Sequence, residues 1–124
     1  MNRNYESFNM WQNFYDFRDR EHERRDMEYI KRMYPSQLRD IQHGVEEECD
    51  KLEYDGSMMF DEYPDRLMVQ LLEKKIAGNC KTEENEVWIL HVVPVMLYSE
   101  MYRRRSRRRN HMKNRNMWTG YSER

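Results

Sequence analysis

The sequence predicts an all-α protein: a small three- or four-helix domain with flexible N- and C-terminal segments. Three observations carry this expectation. Apolar residues recur at helical spacing in residues 38–52 and again in 67–76. The pattern Tyr34-Pro35-Ser36-Gln37-Leu38 returns 29 residues later as Tyr63-Pro64-Asp65-Arg66-Leu67. It is one helix-start solution used twice, and two copies with divergent interiors make no solenoid. The single β-branched run, residues 87–95, has no second convincing strand to pair with. The domain is expected over residues 19–105, between a polar–aromatic segment (1–18) and a basic tail (106–124).

Residues 1–17 contain four Asn and six aromatics, with no aliphatic side chain beyond two methionines. Such polar–aromatic composition predicts disorder. A short amphipathic helix follows from Asp19, with Met27, Ile30 and Met33 on one face, and Pro35 ends it by disfavouring helical geometry at Tyr34. In the second helix Leu38, Ile41, Val45, Cys49 and Leu52 fall within about 80° of one another on the helical wheel, a narrow seam for a partner helix. Met33 and Leu38 stand at staple positions, Gly56 supplies the stop, and Gly44 marks either a close crossing or a solvent-exposed position. The third helix presents Leu67, Met68, Leu71, Leu72 and Ile76, and Gly78 closes it. Between these two helices, Met58, Met59 and Phe60 are expected to cap the core. After a polar linker at 79–84, residues 87–98 are apolar on every face, which predicts the central buried helix. Pro94 predicts a kink or a helix start, and the arginines beyond it should project from the end of that helix.

Composition narrows function chiefly by exclusion. Leu, Ile, Val and Phe number 21 of 124 residues, while Met and Tyr supply 11 and nine more apolar side chains. The mean hydropathy is −1.23. These values exclude a large enzyme, a multi-domain chain, a disulfide scaffold and a polytopic membrane protein. Cys49 and Cys80 are read as free thiols, Cys49 as a buried hydrophobe and Cys80 as a reactive loop residue. The opening MNRNYESFNMWQNF holds no apolar run fit for a signal-peptide core, and 87–98 is too short to span a bilayer. The expected compartment is the cytoplasm.

The net charge of −1 is a cancellation. Residues 1–102 carry 13 Lys/Arg against 22 Asp/Glu, and residues 103–124 carry nine against one. The acids concentrate in 46–65, where nine face the single base Lys51, a pattern that predicts a solvated face. The sharpest feature is the basic run. Arg103, Arg104, Arg105, Arg107, Arg108 and Arg109, with Lys113 and Arg115, form a candidate contact for an anionic partner, because guanidinium groups fit phosphate bidentately. Trp118 and Tyr121 could add stacking surfaces for single-stranded nucleic acid. An acidic protein surface, the chain's own acidic helix, or a second copy through a helical face are the competing partners. A polybasic run after an apolar segment also describes a peripheral membrane anchor, provided 87–98 is exposed.

No catalytic signature appears, and the chain is expected to be a non-enzymatic interaction or adaptor protein without cofactor or metal. The EF-hand spacing is absent from the acidic block, where Asp61 or Asp65 is expected to cap a helix instead. His43 is read as a surface residue, and His91 as a satisfied core histidine.

The stretches VEEECDKLEYDGSMMFDEYP (45–64) and VMLYSEMYRRRSRRR (95–109) resemble a group of short, uncharacterised bacterial proteins. The resemblance covers 35 residues and implies a bacterial cytoplasmic protein; it transfers no functional residue.

Overall fold

A computed structural model describes the backbone of residues 2–122 and the side chains of residues 17–112. The fold is all-α. Helix α1 spans Asn2–Arg32, α2 Ser36–Lys51, α3 Arg66–Cys80 and α4 Ile89–Ser122, with a single 3-10 turn at Met58–Phe60. The described residues contain no strand. They fall into two units: Met33–Arg105 forms one, and Met1–Arg32 with Ser106–Arg124 forms the other.

Helix α1 starts at Asn2, where a start near Asp19 was expected. Asn and aromatic residues are only slightly poorer helix formers than charged ones, and no Gly or Pro interrupts residues 2–32. Within its own unit, α1 carries surface pairs from Arg24 to Glu21 and Glu28, at 3.0 and 2.8 Å.

In the unit Met33–Arg105, the Pro35 carbonyl accepts from the Leu38 and Arg39 amides and opens α2. Met33 is exposed, so the expected staple to Leu38 does not form. The α2 seam is as predicted, with Ile41, Val45 and Cys49 fully buried and Leu38 and Leu52 at its ends. After α2, Gly56 adopts φ +82°, a left-handed conformation that favours glycine. Buried Ser57 then caps the 3-10 turn by accepting from the Met59 amide at 3.2 Å. Met59 enters the core, and Met58 and Phe60 pack against it as expected.

Asp65 caps α3, its Oδ1 accepting from the Leu67 amide. The buried face of α3 departs from the expectation in part, since Ile76 is buried and Leu72 packs against the core as expected. Val69, Ile76 and Ala77 are buried, whereas Leu67 (64% exposed), Met68 and Leu71 face outward. The helix passes through Gly78 and ends at Cys80. Helices α2 and α3 pack closely: an added Cβ at Gly44 would lie 2.9 Å from Cys80 Sγ.

Asn85 joins α3 to α4, within a stretch first read as polar linker and its edge. It is buried, accepts from the Thr82 amide, donates from its amide to Thr82 Oγ1, and donates from Nδ2 to the Cys80 carbonyl. Helix α4 contains Pro94 in its interior. Ile89, Val93, Leu97 and Met101, each four residues apart, are its buried apolar stripe. Much of the rest of the helix surface is open: Leu90, Val95 and Tyr98 are solvent-facing and His91 is exposed, as is Val87 (87% exposed) in the turn before the helix. The segment 87–98 is therefore amphipathic in place, not buried all round, and His91 is not a core residue.

Candidate functional site

The buried stripe of α4 ends in polar chemistry. Glu100, 5% exposed, accepts from Gln42 Nε2 of α2 at 3.0 Å, from Arg103 Nη2 at 2.8 Å and from Arg104 Nε at 3.1 Å. Burial pushes its carboxyl up, but hydrogen bonds and charges from Arg103 and then Arg104 outweigh that, and Glu100 ionises below the usual carboxylate range.

Arg104, 8% exposed, uses all three guanidinium nitrogens on acids of its own chain. Nε reaches Glu100, Nη1 reaches Glu53 at 3.3 Å and Nη2 reaches Asp50 at 2.9 Å. Arg105 Nη1 donates to the carbonyls of Asp61 and Glu62 at 2.9 and 3.0 Å, and its guanidinium lies over the Tyr102 ring. Arg104 and Arg105 thus grip the chain's own acidic block, Arg105 through backbone carbonyls, while Arg103 pairs with Glu100 of its own helix; the acidic block is one of the partners the sequence left open. This removes Arg104 from any surface an outside anion can reach. It also corrects the reading of 46–65 as wholly solvated. Glu48 of that block is buried and paired to Lys51 at 3.0 Å and to Lys75 of α3 at 3.2 Å.

The remaining sequence-predicted residues lie in the other unit. Arg107 approaches Glu23 at 3.9 Å, Arg108 is half-buried and Arg109 is exposed. The side chains of Lys113, Arg115, Trp118 and Tyr121 lie outside those described, although α4 carries their backbone. Sequence reasoning missed Glu100, Gln42 and Asn85. Only Glu100 offered a signal, standing four residues before Arg104 on one helix face.

The thiols are held protonated. Burial pushes Cys49 up to about 12 and also raises Cys80, which closes α3 with its sulfur half-buried against α2. The expected reactivity of Cys80 does not fit that environment. His43 is exposed, 3.1 Å from Glu47.

Two concavities open on the unit Met33–Arg105. The larger, about 480 Å³, has Met59, Val69 and Met101 among its walls, together with three tyrosines, Tyr63, Tyr98 and Tyr102. The smaller, about 350 Å³, lies between α3 and α4 around Gln70, Lys74 and Pro94. Among the described residues, no group of three His, Cys, Asp or Glu side chains is placed to hold a metal, and no helix is long and apolar enough to cross a membrane. No protein-family model, curated protein or solved structure matches the chain.

Proposed function

We propose that the chain is a non-enzymatic, cytoplasmic interaction protein whose basic segment from Arg107 to Arg115 contacts an anionic partner, with nucleic acid the best-matched class. The observation that supports this reading is how the basic charge divides. Arg103, Arg104 and Arg105 are engaged inside their own unit. Residues 106–124 still carry six Lys/Arg against the single acid Glu123, on a chain whose unit Met33–Arg105 has nine bases and 15 acids. A dense cluster of guanidinium groups gives phosphate contact without sequence readout.

The test is a salt titration of fluorescent single-stranded RNA and duplex DNA. It compares the full chain with a variant carrying Arg107→Gln, Arg108→Gln, Arg109→Gln, Lys113→Gln and Arg115→Gln. Submicromolar binding at physiological salt is expected, with a log–log slope of about −0.9 per phosphate on duplex, and the variant should lose it. Binding that vanishes by physiological salt, or persists in the variant, overturns the reading.

The exposed flank of 87–98 supports a second reading, a peripheral membrane protein that lays Val87, Leu90 and Val95 on an anionic surface beside the polybasic run. Co-sedimentation with anionic vesicles that is abolished by Leu90→Asp and Val95→Asp would favour it.

A further inference from the structure

The larger cleft of the unit Met33–Arg105 has a lining with an uneven hydrogen-bonding character. Its floor is apolar, formed by Met59, Val69 and Met101, all buried. Its walls are aromatic: Tyr63 is 86% exposed, and Tyr98 and Tyr102 show more than half or about half of their surface. The polar atoms are mostly donors. Arg66 and Arg105 supply guanidinium groups, which only donate, and Tyr63 and Tyr102 supply hydroxyls, which donate or accept, whereas Glu62 is the only carboxylate of the lining. Arg105 Nε is enclosed and has no hydrogen-bond partner, while Nη1 of the same side chain is committed to the Asp61 and Glu62 carbonyls.

The Arg105 contacts also fasten the segment carrying Tyr63 and Pro64 to α4. Tyr98 is fixed in turn by donating its hydroxyl to Glu73 of α3. Tyr98 and Tyr102 therefore stand in place before any ligand enters, which lowers the ordering cost of binding.

An occupant must offer acceptors and flat apolar faces, and few donors. Anions meet that requirement but approach a unit with six more acids than bases, and Asp61 and Asp65, beside the lining residues in sequence, are exposed. A polyproline II segment meets it without that penalty. Proline has no N–H, its carbonyls project outward as acceptors, and its rings stack on tyrosine faces in a preformed, low-entropy helix. The acidic surroundings favour basic residues on either side of such a segment. The three prolines of this chain are Pro35 at the start of α2, Pro64 in the cleft wall and Pro94 inside α4, so the ligand belongs to another protein.

We propose that this tyrosine–arginine cleft is a docking site for an arginine-flanked proline-rich segment of a partner protein. The inference goes beyond the basic-segment reading and does not depend on it, since the two sites lie in different units and are read by different probes.

The experiment titrates the isotope-labelled full chain with a synthetic oligoproline peptide flanked by arginines, followed by amide chemical shifts. Controls are a glycine–serine peptide with the same arginines, an oligoproline flanked by aspartates, and a single-stranded RNA oligonucleotide. Saturable binding below millimolar is expected, with shifts at the cleft residues. Tyr63→Ala and Tyr102→Ala, both exposed and so compatible with folding, should each weaken it by about tenfold. Tyr63→Phe should retain most of the stacking and serves as the conservative comparison. Three results would overturn the proposal: no saturable oligoproline binding, equal binding of the glycine–serine peptide, or indifference to both alanine variants. RNA that shifts the cleft residues while oligoproline does not would overturn it in favour of a nucleic-acid site.

Discussion

Arg104 and Glu100 form the most consequential contact at the scale of single residues, because both are buried and each has more than one partner. Removing one member of such a network strands the other charge out of water. Arg104→Ala should therefore cost about 3 kcal/mol in urea unfolding, whereas exposed Arg109→Ala should change stability by less than about 0.5 kcal/mol. The network also sets an acid dependence. Glu100 and Glu48 both ionise below the ordinary carboxylate range, Glu48 because the Lys51 and Lys75 pairs outweigh its burial. Each binds a proton more readily in the unfolded chain, so the stability they contribute is complete above the unfolded value near 4.5 and is lost as pH falls through the folded value. Urea midpoints measured downward from pH 6 should stay level and then fall steeply in acid. Glu100→Gln should flatten that fall; an unchanged acid limb would remove Glu100 as its source.

Among the elements, the α2–α3 crossing turns on Gly44 and the thiol of Cys80. Alanine at position 44 gains helix propensity of roughly 1 kcal/mol but places a methyl 2.9 Å from Cys80 Sγ. Overpacking of that kind typically costs about 1–3 kcal/mol. Gly44→Ala alone should therefore destabilise, while the same change in a Cys80→Ala background should be neutral or stabilising relative to that background. A thermal-melt double-mutant cycle reads the coupling directly, and additive effects would show that the crossing is not close. Much of α2 was legible in the sequence, since Ile41, Val45 and Cys49 repeat at steps of four and occupy one seam. The face of α3 was not legible in the same way. Leu72 and Ile76 of the expected face do turn to the core, but Leu67, Met68 and Leu71 stay exposed while Val69 and Ala77 are buried, a rotation of the helix that local periodicity does not fix. Asn85 was equally hidden, because its side chain closes a turn through Thr82 and Cys80, and nothing in the local composition distinguishes it from loop asparagine.

For the whole molecule, every described buried apolar residue, from Ile41 to Met101, belongs to the unit Met33–Arg105. The arginine clamp at 103–105 lies inside that unit too. The fragment 33–105 should therefore fold alone, with helical far-UV circular dichroism and a single cooperative melt. Ending it at residue 102 removes both arginine partners of Glu100 and should lower the melting temperature or abolish the transition. A broad, non-cooperative melt for 33–105 would show that the other unit is needed for folding.

The sequence by itself determined the all-α class, the narrow seam of α2, the paired proline helix starts and the concentration of basic charge beyond residue 102. These follow from periodicity, backbone restriction and residue counts, which are local properties of a chain. Only the tertiary structure decided which arginines are available to a partner. Arg104 and Arg109 are indistinguishable as members of one run, yet one is enclosed by three acids from two helices and the segment that follows α2, and the other faces solvent. Charge pairing across 50 residues depends on where helices end and how closely they pack, and neither is written in the composition of the run itself.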